Sequence, residues 1–320
     1  MSKEKSCKKG CYKTQIGGQA LIEGVMMRGP EVSAMAVRLP NGEIDLEQWP
    51  MKPAKWFQKA PLIRGPVNFV MSMVDGYKCL SKSADKSMQG IEEEPSKFEK
   101  WLTDKLGDTL MAVIMVIASF LGVALALGLF IWLPALITKG LSMLLPEVMS
   151  LDIVKNLIEG FIKIFIFIGY IALTALLKDI RRTYEYHGAE HKTIACYEAG
   201  DELTVENVKK HRRFHPRCGT SFIFLVLFIS VFVNTVFQVP WDSLWLRVPI
   251  KLAVLPIVVA IAYEIIKLAG RHDNILTKIV SAPGLWIQRL TTREPDASQI
   301  ECAIAAFMPC IPKEKGTDKW

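Results

Sequence analysis

Long uncharged runs alternate along this chain with stretches that are rich in charged residues. Two runs, of 30 and 24 residues, carry no charge at all, and two shorter runs carry only two or three charges each. About 20 apolar residues on a helix cross the hydrocarbon layer of a membrane, so each run predicts a transmembrane helix. We place these helices at residues 109–138, 157–177, 220–238 and 248–268.

The distribution of lysine and arginine predicts the orientation of these helices. Residues 1–108 contain 17 of them, residues 178–219 contain nine, and residues 269–320 contain seven, whereas the two remaining connections contain two and one. Positive residues accumulate on the cytoplasmic side. The alternation therefore predicts four spans with both the N- and the C-terminus in the cytoplasm.

The polar segments predict a fold class of four transmembrane α-helices with an α+β N-terminal cytoplasmic domain. Asn41-Gly42 between two alternating runs is a strong hairpin signal, so this domain should contain a β-hairpin. Apolar residues at helical spacing in 61–85 predict a helix that is too polar to span and lies along a surface. We divide these segments into a disordered basic tail at 1–15, the domain at 16–108, a cytoplasmic loop at 178–219 and a cytoplasmic tail at 269–320.

Composition narrows the class of protein. The chain has 320 residues, a net charge of +7 and 51% hydrophobic residues, which excludes a disordered chain and a small disulfide scaffold. The expected partner is the lipid bilayer, and no motif signals nucleic-acid binding. All seven cysteines lie in predicted cytoplasmic segments, so reduced thiols or metal ligands are expected.

The histidines carry the candidate chemistry, because four of the five fall within one cytoplasmic segment. His187 and His191 are four residues apart, so on a helix their rings point the same way, and Glu190 lies on the same face. H-x-x-E-H is the inverted zinc-protease arrangement, with two imidazole ligands and a carboxylate that can take a proton from water. We therefore predict metal ligation by the two histidines and a catalytic role for Glu190.

A second pair, His215 and Cys218, stands just before the third predicted span at metal-ligand spacing. If all four side chains bind one divalent transition metal, zinc above all, the site is closed and structural. If three bind and water takes the fourth place, the site is catalytic. The plainer interpretation is that the histidines pack and that Glu190 pairs with a neighbouring cation.

Other charged residues extend this hypothesis. Glu264, Glu198 and Glu23 are candidates for an additional ligand or for contacts that orient the ligands. Arg28 and Arg217 are candidates for binding an anionic group of the substrate. Glu23 and Arg28 could equally pair with each other.

The charges inside the predicted spans also have a plainer interpretation. Glu264 could pair with Lys267, and Glu159 with Lys163, each along its own helix. One geometrical difficulty opposes a shared site. A straight extension of the second span would carry His191 about 20 Å beyond the membrane, at 1.5 Å per residue.

Several long motifs resemble a known family. They are GGQALIEGVMMRGP, YHGAEHKTIACYE, HPRCGTSF, YEIIKLAGR and APGLWIQRLTTREP. Together they resemble the YqhQ-like bacterial membrane proteins, a family defined by a domain of unknown function, over nearly the whole chain. The resemblance implies a predicted metal-dependent enzyme of the bacterial cytoplasmic membrane, but no particular substrate. Because this description rests on the same histidine, glutamate and cysteine positions, it adds no independent argument for catalysis.

The leading hypothesis is therefore a metal-dependent hydrolase with its site on the cytoplasmic side of the membrane. The alternative is a non-enzymatic membrane scaffold or assembly factor whose metal site only braces the fold. The two differ at Glu190, since a structural site needs no adjacent base.

Overall fold

The computed structural model describes residues 13–89, 113–114, 116–237, 241, 243–272, 274–314 and 316–319. The helices are α1 (Arg64–Ser87), α2 (Val116–Leu144), α3 (Asp152–Thr174), α4 (Lys178–Glu198), α5 (Val205–Lys210), α6 (Gly219–Val236), α7 (Leu244–Arg271), α8 (Ile275–Thr291) and α9 (Ala297–Phe307).

The described residues form two compact units. The first, which we call the site unit, takes its residues from Met1–Gln89, Tyr170–Val226 and Pro256–Trp320. The second, the span unit, takes its residues from Gly90–Gly169 and Leu227–Leu255.

An antiparallel sheet near the N-terminus belongs to the site unit. Its strands are β1 (Gly17–Leu21), β2 (Gly24–Arg28), β3 (Val32–Arg38) and β4 (Ile44–Pro50), and each pairs with the next along the chain. The predicted hairpin around the Asn-Gly turn is β3–β4. The β1–β2 hairpin was not predicted, because its glycines are poor strand formers.

Glycines let the backbone of this sheet approach its neighbours closely. A Cβ atom on Gly24 would overlap the carbonyl oxygen of Ala36 on β3, and one on Gly29 would overlap that of Cys310. Glycine at these two positions thus permits a close approach of the backbone. Gly42, in the β3–β4 turn, has a φ of 88°, which glycine adopts without strain.

The core of the site unit lies between this sheet and two helices, α4 and α9. Its fully buried apolar residues include Val25, Met27, Ala34, Ala36, Tyr186, Ala189, Ile300, Ala303 and Phe307. The segment 269–320, predicted as a tail, therefore contains a helix that helps to build the core. At the other end, Thr14 falls in the predicted disordered tail, yet its side chain is buried and its hydroxyl donates to Asp318 over 2.5 Å.

Helix α1 buries its small residues rather than its large ones. Gly65, Gly76, Cys79 and Ser83 are buried, whereas the predicted apolar positions of this helix are largely exposed. Examples of the exposed side chains are Val70, Val74 and Tyr77. The helix therefore packs by a narrow small-residue face and presents an apolar face outward.

Four helices are long and apolar enough to cross a membrane by length and composition, and we call them the membrane-length helices. Their apolar segments are Val116–Leu144, Asp152–Thr174, Gly219–Val236 and Trp245–Ala269. They match the four predicted spans with shifted ends, although residues 109–112 of the first prediction lie outside the described residues. Within the span unit, a Cβ on Gly160 of α3 would lie 2.5 Å from Val231 of α6, so glycine permits close helix packing here.

The helical backbone is interrupted between α3 and α4. Residue Leu177 has extended backbone angles and precedes the first residue of α4. Because α4 is not a straight extension of α3, the predicted 20 Å displacement of His191 does not apply. This break allows the two histidine pairs to approach each other.

Candidate functional site

Three candidate ligand atoms meet at one point of the site unit. His187 and His191 lie on successive turns of α4, with ring centroids 4.4 Å apart, and Cys218 directly precedes α6. The ligand atoms of these three residues all lie within 4.8 Å of one another. Ligands at about 2.0–2.3 Å from a tetrahedral ion lie about 3.3–3.8 Å apart, so small side-chain movements would close the site around a metal.

Backbone carbonyls orient both imidazoles. The Nδ1 of His187 donates to the carbonyl oxygen of Thr291 over 2.8 Å, and the Nδ1 of His191 donates to that of Arg213 over 2.6 Å. In its neutral form each imidazole then has no proton on Nε2, so a metal can bind there once His187 has given up its second proton. Ligand histidines commonly show this outer hydrogen bond, which fixes the tautomer and the ring orientation.

The electrostatics of the cluster favour a metal-binding form of the cysteine. The Nε2 of His187 lies 3.2 Å from the sulfur of Cys218. Burial would raise the pKa of the Cys218 thiol, but the imidazoles of His187 and His191 outweigh it, and this pKa lies well below its usual range. Burial also opposes a charge on His187, yet the neighbouring sulfur raises the pKa of His187 to about 9. The thiolate is the form in which cysteine binds metals.

Glu190 is buried beside the three ligands, with 4% of its surface exposed. Its Oε1 atom accepts a hydrogen bond from the backbone N–H of Gly18 over 3.1 Å. Its Oε2 atom is buried and has no hydrogen-bond partner within the described residues. Burial raises the pKa of Glu190, although the imidazoles of His191 and His187 act in the opposite direction. A buried carboxylate with one open oxygen can accept a proton from a bound molecule.

His215 does not join the three ligands in this arrangement. Its ring lies 5.6 Å from that of His191, but its Nε2 accepts a hydrogen bond from Arg217 over 3.2 Å. The same nitrogen lies 3.8 Å from Glu198, whose carboxylate also binds Arg217. His215 thus lies beside His187, His191 and Cys218 rather than among them, and Glu198 contacts both Arg217 and His215. Metal binding by the four predicted residues stays a prediction.

His215 and Glu198 also shift each other's pKa. Burial lowers the pKa of His215, and the charge of Arg217 adds to this effect while Glu198 opposes it. Burial acts against ionised Glu198, but the neighbouring His215 and the charge of Arg217 prevail and lower its pKa.

Two other candidates are held away from the three ligands. Glu23 pairs with Arg182 and accepts a hydrogen bond from the hydroxyl of Tyr186 over 3.2 Å. Glu264 pairs with Arg64, whose Nε atom donates over 2.8 Å, rather than with Lys267 along its own helix. Both carboxylates therefore anchor neighbouring segments of the fold.

A cavity of about 260 Å³ borders the cluster within the site unit. Its lining includes Glu190, His191 and Cys218, and also Arg28 and Arg217. Arg28 pairs with Asp75 over 2.6 Å and not with Glu23. Both arginines are held by carboxylates, and the buried Nε of Arg28 has no hydrogen-bond partner among the described residues, so it can donate to an anionic group.

Sequence reasoning missed the groups that support the site, because most of them are backbone atoms. The exception is the side chain of Gln288 on α8. It accepts from the N–H of His215 over 2.8 Å and donates to its carbonyl oxygen over 2.7 Å. The motif APGLWIQRLTTREP, for which the sequence indicated no role, thus supplies both Gln288 and the carbonyl of Thr291. Its unusual length was the only signal.

One further ion-pair group joins this motif to α4. Glu294 accepts from Lys192 over 2.7 Å and from Arg213 over 3.1 Å. Because Arg213 also supplies the carbonyl that orients His191, the ion pair steadies the loop that holds this ligand.

Comparison with known proteins gives a family match without an assigned activity. Residues 60–313 match a family model described as "Protein of unknown function (DUF1385)". The chain is 35% identical over 296 residues to "Uncharacterized protein YqhQ" of Bacillus subtilis (strain 168), covering 91% of this chain and 90% of that protein. No solved structure shows a significant match.

Proposed function

For a chain that belongs to the DUF1385 family of proteins of unknown function, we propose a metal-dependent hydrolase of the bacterial cytoplasmic membrane. The observation that carries the proposal is the convergence of His187, His191 and Cys218 within 4.8 Å, beside the buried carboxylate of Glu190. Three protein ligands with one open position are typical of catalytic zinc sites, whereas structural sites are usually closed by four.

The donor set fits a divalent transition metal. The two imidazoles donate through Nδ1 to backbone carbonyls, so each offers Nε2 as a nitrogen ligand. The cysteine adds a sulfur ligand, and zinc binds both kinds of atom. A bound zinc ion would act as a Lewis acid and lower the pKa of water in the site. His187, His191 and Cys218 would hold the ion.

The remaining residues have roles that follow from their positions. Glu190 accepts the proton of the attacking water on Oε2, while the N–H of Gly18 holds Oε1. Arg28 and Arg217 bind an anionic group of the substrate in the cavity. Peptides and lipid-linked molecules are the substrate classes that a site near a membrane could receive.

Location at the membrane is supported by the four membrane-length helices and by the exposed apolar face of α1. The alternation of basic residues favours both termini and the site on the cytoplasmic side. The apolar face of α1 would then lie along the inner membrane surface.

The first experiment measures metal binding by the full chain in detergent. The purified protein, stripped with a chelator, is titrated with zinc against a chromophoric competitor. We expect one ion per chain, and loss of tight binding in His191→Ala. A protein that binds no transition metal, or His191→Ala that binds as well as wild type, would contradict the proposal.

The second experiment separates an enzyme from the scaffold alternative. Hydrolysis of fluorogenic peptide, ester and phosphodiester substrates is compared for Glu190→Gln and for Glu185→Gln, a matched change on α4 whose carboxylate contacts Gln299. An enzyme should keep its metal and its fold in both variants but lose about 10²–10⁴-fold in rate in Glu190→Gln alone. A scaffold should tolerate both changes and unfold when the metal is removed.

A second candidate is a hydrolase that uses Cys218 as its nucleophile. It is favoured by the 3.2 Å contact between Cys218 and the Nε2 of His187, whose Nδ1 is oriented by a carbonyl, as in nucleophile–base pairs. This candidate leaves the convergence of His191 unexplained. It predicts activity that survives chelators and is abolished by iodoacetamide, the reverse of the metal-dependent pattern.

A further inference from the structure

A second cluster of charged residues is buried in the span unit. Asn156, Glu159 and Lys163 lie at positions i, i+3 and i+7 of α3, which share one face of the helix. Arg247 and Lys251 lie one turn apart on α7. Each of these five residues is at most 7% exposed. The cluster is therefore an interior feature of the span unit.

The cluster contains more positive than negative charge. Glu159 accepts from Arg247 over 2.5 Å and also from Lys251, so one carboxylate serves two cations and does not pair with Lys163 as predicted. Lys163 has no hydrogen bond or ion pair within the described residues. It is attracted by Glu159 but repelled by Lys251. Among the described residues, these three cationic side chains thus face one carboxylate.

The cluster also contains a buried hydrogen-bond donor that has no acceptor among the described residues. Asn156 is 2% exposed, and its Nδ2 donor has no partner among the residues that the structure describes. Asp242, an acid close to α7 in sequence, lies outside the described residues. Even if it is counted as a second carboxylate, the cluster keeps an excess of one positive charge.

Such an excess is costly in an apolar environment. A buried, unpaired ammonium loses several kcal/mol of hydration that only a nearby negative charge can offset. Charged residues within membrane helices generally face partners or ligands for this reason. Lys163 must therefore either lose its proton or meet an anion that the described residues do not supply.

We propose that this cluster binds a phosphate group, which Lys163 and Lys251 hold between α3 and α7. A phosphate carries one to two negative charges and several oxygen acceptors, so it can match both the excess charge and the excess donors. The group could belong to an anionic phospholipid or be free in solution. The cluster shares no residue with the proposed hydrolase site.

The position of the cluster fits a ligand that enters from one end of the helices. Lys251 is six residues from Trp245, the start of its apolar segment, which corresponds to about 9 Å along the helix. Lys163 is 11 residues from Asp152, or about 17 Å. The hydrocarbon layer is about 30 Å thick, so the cluster extends from near one surface toward the middle.

The experiment measures thermal unfolding of the full chain in an uncharged detergent. Inorganic phosphate and phosphatidylglycerol are the two probes, with sodium chloride at equal ionic strength and phosphatidylcholine as their respective controls. We expect a saturable rise in melting temperature with at least one probe. A response to phosphate alone identifies a free anion as the ligand, and a response to phosphatidylglycerol alone identifies a lipid headgroup.

Single substitutions then test whether Lys163 causes the rise in melting temperature. Lys163→Met should weaken the apparent affinity by about tenfold or more, because a charge-assisted hydrogen bond is lost. Lys163→Arg should retain most of it. Lys155→Met is the matched control, since this lysine is on the same helix but pairs with Asp152 near its start. If Lys163→Met does not fold, Lys163→Gln replaces it with the same expectation.

Two results would overturn the proposal. The first is a wild-type protein whose melting temperature responds to neither probe beyond its control, as expected if Lys163 is neutral. The second is a folded Lys163 variant without the positive charge whose response equals that of wild type.

Discussion

Replacing Gly188 by alanine tests whether close packing around the ligand helix holds the candidate metal site together. Gly188 lies between His187 and Ala189 on α4, and a Cβ atom there would overlap the carbonyl oxygen of Arg293. This oxygen lies 1.9 Å from the Cβ position, and ordinary contact begins at 3.4 Å, so the Arg293 carbonyl would have to move by about 1.5 Å. The N–H of Arg293 donates to the carbonyl oxygen of Tyr184 over 2.8 Å, so this movement would strain a hydrogen bond as well.

The expected cost follows from three contributions. Overpacking a well-packed interior costs about 1–3 kcal/mol, and weakening one hydrogen bond costs about 1 kcal/mol. The higher helix propensity of alanine returns about 1 kcal/mol. The net loss of about 1–3 kcal/mol should lower the melting temperature by several degrees.

The same substitution should weaken zinc binding. Thr291, two residues before Arg293, supplies the carbonyl that orients His187. Changes to the groups that orient metal ligands typically cost about 10–100-fold in affinity. Zinc affinity and thermal unfolding of the full chain in detergent are therefore measured on the same preparation.

A matched control is Gly169→Ala on α3, where an added Cβ would meet no atom within 4 Å. It should leave zinc affinity unchanged and raise stability slightly, by at most about 1 kcal/mol. The reasoning is refuted if Gly188→Ala melts at or above the wild-type temperature. A lower melting temperature with unchanged zinc affinity would refute the link through Thr291.

Three further predictions concern Cys218, Glu294 and the ion pair of Arg64 with Glu264. In metal-free protein, iodoacetamide should modify Cys218 before Cys302, whose pKa burial raises to about 12, and zinc should protect Cys218, as read by peptide mass spectrometry. Burial opposes ionised Glu294, but its two ion pairs lower its pKa below 4.5. Its stabilising effect is therefore present above that value and lost as the pH falls through the folded-state pKa. Glu294→Gln should cost about 0.5–1 kcal/mol near pH ~7 in thermal unfolding, and this cost should shrink as the pH falls through the folded-state pKa. A double-mutant cycle of Arg64→Met and Glu264→Gln should give a coupling energy of about 1–2 kcal/mol, and strict additivity would contradict the pairing.

The features that the sequence predicted are those with a local signal. The membrane-length helices follow from uninterrupted apolar runs, and the β3–β4 hairpin follows from Asn41-Gly42. The pairing of His187 with His191 follows from helical periodicity alone. In each case, residues within a few positions of one another determine the outcome.

The features that were missed depend on contacts between distant segments. The break at Leu177 has no glycine or proline to signal it. The exclusion of His215 from the ligands depends on Glu198 and Arg217, which are brought to it by the fold of α4 and the following loop. Motif spacing placed His215 and Cys218 together, but it could not indicate which of the two faces the metal site.

The site is completed mainly by backbone groups from three separated segments, and this has an energetic consequence. The N–H of Gly18 and the carbonyls of Arg213 and Thr291 position Glu190 and the histidines only when the sheet, the loop and the end of α8 are all in place. The unfolded chain therefore cannot offer the same ligand geometry. A metal that binds the folded state alone must stabilise it, by an amount that increases with metal concentration. Metal binding and folding of the site unit are consequently coupled even when the ion serves catalysis, and only the response to Glu190→Gln separates a catalytic from a structural ion.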